Sequence, residues 1–139
     1  MRSLWAALLG TWLLATPAAA QLAAADQAAI QGVIEDQMAA FGRDDAEAAY
    51  AHAAPNVRAL FPSPEIFLEM VRRAYRPVYR PAEVRFRPPE VVPEGILQKV
   101  LVRGPDGRLV MAHYTMERGS DGGWKIAACV LVEQPEAGA

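Results

Sequence analysis

The sequence has 139 residues, with 14 basic and 16 acidic side chains and a formal net charge of −2. So mild a balance carries no electrostatic footprint for nucleic acid. One cysteine and two histidines exclude an internal disulfide and allow no zinc-ligand pattern, and no motif asks for a cofactor.

The N-terminus reads as a removable leader. Arg2 supplies a short positive start, and LWAALLGTWLL follows as an apolar run of signal-peptide length. TPAAAQ then places Ala18 and Ala20 where a signal peptidase reads small residues. The run is too short to cross hydrocarbon roughly 30 Å thick, which takes about 20 apolar residues. The expectation is a leader over residues 1–20, cleavage near Ala20, and an exported protein, periplasmic or secreted, with no membrane attachment after cleavage. Residues 21–139 are then long enough for one domain with a true core.

Three helices are expected next. DQAAIQGVIEDQMAAF spaces Ile30, Val33, Ile34, Met38 and Phe41 along one helical face, with Asp26 as the N-cap and Gly42 as the end. DDAEAAYAHAA starts acidic, as a helix start favours, and lines up Ala49, Tyr50 and Ala53 before Pro55 stops it. Ser63 caps the third helix, Pro64 takes its first position, and Phe67, Met70, Val71 and Ala74 form its buried face.

The stretch YRPVYRP follows. Each proline biases the residue before it toward extended geometry, so residues 75–82 read as a semi-rigid extended joint. Tyr75 and Tyr79 have a second role open to them, turning inward to rim a cavity while Arg76 and Arg80 face out.

Beyond the joint the period changes to two. VRF is a short strand, and Pro88 and Pro89 confine it to an edge or a bend. ILQKVLVR and RLVMAHYTMER are longer strands joined by GPDG, the chemistry of a type I turn closed by a glycine bulge. GSDGG leads into a last strand, WKIAACVLVE. The expected class is α+β: three N-terminal helices packed on one face of a curved, mainly antiparallel four-stranded sheet.

This order, with AFGRDDAEAAY after the first helix and DGGWKIA at the last strand, resembles the nuclear transport factor two-like α+β cone, which includes ketosteroid isomerase and polyketide-cyclase-like proteins. QMAAFGRDDAEAAYAHAAP, PSPEIFLEMV and YRPVYRP more closely resemble a bacterial exported family known as domain of unknown function 4864. The resemblance implies a fold and a compartment and no activity. The isomerase's paired tyrosine and acid find no local motif here to match.

The hairpin register follows from the turns. With Gly104 opposite Arg108, the core face pairs Val102 with Val110, Val100 with Ala112, Gln98 with Tyr114 and Ile96 with Met116. Setting Arg118 opposite Trp124 extends these rows to Val132, Val130, Ala128 and Ile126. One polar row, Gln98–Tyr114–Ala128, interrupts an apolar face. A buried amide left unpaired costs about 1–3 kcal/mol. Gln98 and Tyr114 therefore either satisfy each other inside a core or floor a small cavity. In the second case Gln37 and Tyr50 complete the lining, and Gln98, Tyr114, Tyr50, Gln37, Tyr75 and Tyr79 are the candidate ligand-binding residues.

The opposite face carries Leu101, Met111 and Leu131, with Lys99, His113 and Cys129 beside them and Glu117 across from Lys125. Apolar at its centre and charged at its rim, it suits a homodimer interface. His113 beside Cys129 has the make-up of a base and nucleophile, but a lone cysteine is more often a small buried hydrophobe. No acid falls where a general base would reach the polar row. The leading functional expectation is a non-catalytic module for a small apolar or amphipathic ligand. The alternatives are an isomerase- or cyclase-type enzyme with Tyr114 as donor, and a purely structural homodimer.

Overall fold

The computed structural model describes Gly10 and residues 22–135. The leader, Gly10 apart, lies outside the described residues. Among the described residues, five helices precede five strands: α1 (Ala24–Gly42), α2 (Ala46–Tyr50), α3 (Pro55–Leu60), α4 (Pro64–Ala74), α5 (Arg76–Tyr79), β1 (Glu83–Phe86), β2 (Glu90–Val92), β3 (Gly95–Arg103), β4 (Leu109–Arg118) and β5 (Trp124–Glu133). The class is α+β with an antiparallel sheet.

Two of the helices start for local reasons. Ser63 Oγ accepts from the Ile66 amide at 3.2 Å with Pro64 in the first turn of α4, and Asp45 caps α2 through Ala48. Asp26 is not the cap of α1. That helix begins three residues earlier, with Ala23 at the N-cap, and Asp26 instead accepts from Arg118 Nη2 at 2.8 Å across to the end of β4. Ile30, Ile34, Met38 and Phe41 form the buried stripe of α1, as their spacing requires.

Two helices were not anticipated. Pro55 was expected to stop a helix, but it occupies the first turn of α3, where its missing N–H costs nothing. Residues 75–82 were expected to be extended. Here Pro77 sits in the first turn of α5, and the amides of Val78 and Tyr79 both return to the Tyr75 carbonyl. The same fixed φ that disfavours a helix interior suits a helix start, so the tandem begins a turn of helix rather than bridging to the sheet in extended form.

The sheet order is β1-β3-β4-β5, and β2 pairs with β3 further along the same edge as β1. Pro88 and Pro89 lie between β1 and β2, so one edge strand is broken in two where the ladder would need their donors. The β3–β4 register is the one the GPDG turn dictates: Gln98 opposes Tyr114 and Val100 opposes Ala112. Gly107, at φ 84, supplies the left-handed position of that turn.

The β4–β5 register holds from the turn as far as Met116 opposite Ile126, with Glu117 opposite Lys125. Between Thr115 and Met116 it shifts by one: Thr115 opposes Ala128 and Tyr114 opposes Cys129. A β-bulge inserts one unmatched residue, Ala127. Beyond it every side chain changes face relative to the uninterrupted ladder. Cys129 and Leu131 turn toward the core rows of Tyr114 and Ala112, while Val130 and Val132 take the outer face. The outer row is therefore Leu101, Met111 and Val132, without Leu131. Lys99 and His113 have Val130 beside them, 57 % exposed, instead of Cys129.

The core joins Ile30, Ile34 and Phe41 of α1 to Phe67 and Val71 of α4 and to Val100, Ala112, Met116 and Ile126 of the sheet. The free edge of β5 is covered at one point: the amides of Ala54 and Ile126 bond to the carbonyls of Ile126 and His52, at 2.9 and 2.8 Å. This contact blunts an otherwise open edge and sets the start of α3 against the bulge.

Candidate functional site

A cavity of about 240 Å³ lies between the helical layer and β5. Phe41 of α1, Phe67, Met70 and Val71 of α4, Val57 and Leu60 of α3, and Ile126 of β5 give it mainly apolar walls. Its polar groups are few: Gln37, Asn56, Tyr75, Tyr114 and Cys129. Among the described residues, no Lys, Arg, His, Asp or Glu lines it.

Each polar side chain arrives there for a local reason. The β3–β4 turn sets Tyr114 on the inner face of β4, and the bulge brings Cys129 opposite it. Tyr75 follows the last residue of α4, where the chain bends before α5. Gln37 on α1 donates to the Ala49 carbonyl at 3.1 Å, which both holds α2 and satisfies part of the buried amide. Asn56 in the first turn of α3 donates to the Ala127 carbonyl at 2.9 Å.

Tyr114 is 1 % exposed, and its hydroxyl is buried with no hydrogen-bond partner. An unsatisfied buried donor costs about 1–3 kcal/mol, and such a group is rare enough in folded proteins to call for a physical reason. Burial pushes its phenol well above the ordinary value, and the Cys129 thiol beside it adds to the shift, although no hydrogen bond joins the two. Cys129 is itself pushed up to about 12 by burial, with the Tyr114 hydroxyl opposing part of the shift. Tyr75 moves upward for the same reasons, burial first and Cys129 second. All three groups are therefore protonated near neutral pH.

The other residues singled out from sequence are elsewhere. Gln98 is buried, but it opposes Tyr114 without bonding to it: its Nε2 donates to the carbonyls of Arg87 and Lys99, the latter at 3.0 Å. Its partners are backbone atoms beside the broken edge, and it does not line the cavity. Tyr50 donates to the Phe61 carbonyl at 2.7 Å and packs on the outer side of the aromatic cluster, its ring 5.7 Å from Phe67. It braces the wall instead of forming it. Tyr79 points to another cluster, in which its hydroxyl donates to Asp44 and Arg72 and Arg80 stand over its ring. Arg80 turns back to the Phe41 carbonyl and to Asp44 at 3.2 Å, rather than facing out. His113, on the outer face opposite Val130, is separated from Cys129 by the sheet.

Sequence reading missed the contribution of α3. Val57, Leu60 and Phe61 recur at helical spacing directly after Pro55, and that pattern was legible. A proline both follows the end of one helix and opens the next, so Pro55 by itself does not tell which.

The chain belongs to the family described as domain of unknown function (DUF4864), whose model matches residues 23–139. No curated protein matches it.

Proposed function

We propose that this protein is an exported, single-domain binding module of the α+β cone type that holds a small apolar or amphipathic molecule in the cavity beside Tyr114. The observation that carries the reading is the Tyr114 hydroxyl: a buried donor with no protein partner, in the wall of a cavity that is otherwise mostly apolar. Apolar pockets with a few placed polar groups are the usual form of a small-molecule site, and a guest that meets the hydroxyl relieves its desolvation. The volume supports this. Roughly 150 Å³ is enough to hold benzene, and this cavity is larger.

Binding is favoured over turnover because acid–base chemistry needs a base within hydrogen-bond reach of the proton it takes. The titratable groups lining the cavity are two phenols and a thiol, and those of Tyr75, Tyr114 and Cys129 are all shifted toward staying protonated. Export rests on the leader features: Arg2, the apolar run and the AAAQ junction.

The test is a heteronuclear NMR titration with a panel of small neutral amphipathic compounds. The reading expects shifts clustered at Tyr75, Tyr114 and Cys129 together with a rise in thermal midpoint that grows with concentration, as mass action requires. A panel that moves no resonance around the cavity refutes it. Export is tested by the intact mass of protein recovered outside the cytoplasm, which should correspond to a chain starting near Gln21.

A further inference from the structure

We infer that the molecule this cavity takes is neutral and carries a carbonyl-type oxygen, seated against Tyr114 and Cys129, on a body the size of one substituted ring. This rests on the reading of the cavity as a binding site and adds the chemical class of its occupant.

Charge is decided by the lining. Among the described residues no cationic or anionic side chain reaches the cavity. A carboxylate or ammonium placed there would lose its hydration with no counter-charge, which is far costlier than burying a neutral polar group. The ligand is therefore uncharged.

Polarity is decided by the protons. Tyr114 presents an O–H with no acceptor. Beside it Cys129 keeps its S–H, because its thiol ionises only at about 12, and Tyr75 lines the same space with a phenol also shifted upward. The Gln37 amide nitrogen already donates to Ala49. With that nitrogen engaged, Gln37 offers only its Oε1, an acceptor, and the protons open to a guest are those of Tyr114, Cys129 and Tyr75. A carbonyl oxygen has two lone pairs and no proton of its own, so it can accept from Tyr114 while its second lone pair faces the weakly donating thiol. A donor-only group would meet those protons head on.

Size is decided by the volume. About 240 Å³ exceeds the roughly 150 Å³ that accommodates benzene by enough for a short substituent. The aromatic rings of Phe41, Phe61 and Phe67 and the thioether of Met70 supply walls suited to a flat ring.

The experiment compares three probes of one shape: acetophenone, its isostere α-methylstyrene in which a methylene replaces the oxygen, and benzoate. Each is titrated into the purified protein and into Tyr114→Phe, with affinity read from NMR shifts. Acetophenone should bind the parent at least about tenfold tighter than α-methylstyrene, the factor expected when a buried donor gains its acceptor. In Tyr114→Phe that advantage should vanish while α-methylstyrene keeps its affinity. Benzoate should bind weakest. The infrared carbonyl stretch of parent-bound acetophenone should lie below its value in hexane, a readout that needs no variant. If acetophenone and α-methylstyrene bind the parent equally, or benzoate binds tightest, the inference falls while the binding site stands. If no probe enters the cavity, both fall.

Discussion

Asp44 accepts a hydrogen bond from the hydroxyl of Tyr79, 35 residues further along the chain. Asp44 lies just past the end of α1 in the left-handed region, φ 54, a conformation that Asp tolerates better than most residues. Arg72 from α4 and Arg80 just after α5 converge on the same carboxylate, at 3.5 and 3.2 Å. One acidic side chain thus ties the end of the first helix to α4 and to the second half of the YRPVYRP stretch. The tyrosine hydrogen bond, ahead of the two guanidiniums, holds the Asp44 carboxyl below its usual range.

Tyr79→Phe should raise the pKa of Asp44 toward the ordinary carboxylate value, as followed by NMR titration of its side-chain carbon. The sign for stability follows. A folded pKa below the unfolded one stabilises the fold above the unfolded value of 3.8 and stops doing so as the pH falls through the folded pKa. The parent should therefore exceed Tyr79→Phe in stability near neutral pH and lose part of that margin in acid. An unchanged Asp44 titration would mean the arginines alone set it.

Cys129 should be nearly inert to thiol reagents in the native protein. With its pKa pushed up to about 12, only roughly one thiol in ten thousand is thiolate at pH 8. The native protein should react with a disulfide reagent orders of magnitude more slowly than the same protein in denaturant. The linkage has the opposite sign to that of Asp44. An unfolded thiol loses its proton around pH 8.5, so stability is complete below that value and declines as the pH rises toward 12. Tyr75 and Tyr114, both shifted upward, add to the same decline. Unfolding by urea at a series of alkaline pH values measures it.

Tyr114→Phe and Gln98→Leu should have opposite effects on the unliganded protein, although the two residues face each other across the strands. Removing the Tyr114 hydroxyl deletes an unpaired buried donor and should stabilise the fold by about 1–3 kcal/mol. Removing the Gln98 amide strips the Arg87 carbonyl of its donor and should destabilise by a similar amount. Chemical denaturation of both variants checks the pair of signs. Equal losses would place an acceptor at Tyr114 in the unliganded protein.

Trp124→Ala should be among the most damaging changes, costing about 3–5 kcal/mol as large-to-small aromatic core substitutions do. Trp124 is buried at the start of β5, with the Arg118 guanidinium 4.3 Å from its ring centre and Asp26 beside its Nε1. A thermal midpoint within a degree or two of the parent would contradict this placement.

Local chemistry made much of the fold readable from sequence. Ser63 and Pro64 announce α4, the GPDG turn fixes which residues of β3 face those of β4, and GSDGG fixes the first half of β5 in the same way. Legibility ends where a tertiary contact overrides a local rule. Nothing in WKIAACVLVE marks the bulge at Ala127, because two adjacent alanines leave no polarity contrast to show which one steps out of the ladder. Beyond it, alternation carried on from the turn puts Cys129 and Leu131 on the outer face. The candidate site was legible at Gln37, Tyr75 and Tyr114, which reach the cavity. It was not legible at Gln98, Tyr50 and Tyr79, whose polar atoms are taken by the Arg87 carbonyl, the Phe61 carbonyl and Asp44. A sequence shows that a polar side chain needs a partner, but not which partner reaches it first.

The surplus residue in β5 also matters at the mouth of the cavity. Helix α3 buries none of its residues, and Leu60 at its end is 73 % exposed; packing alone holds it poorly. Hydrogen bonds fasten it: Tyr50 donates to the Phe61 carbonyl at its end, and at the irregular point of the strand the Ala127 carbonyl receives Asn56 and the neighbouring Ile126 receives Ala54. A chain lacking Ala127 would keep Tyr114 opposite Cys129 and Met116 opposite Ile126, with a cleaner ladder between them. It would also lose the carbonyl that receives Asn56, so the strand gives up regularity to hold one wall of the cavity in place.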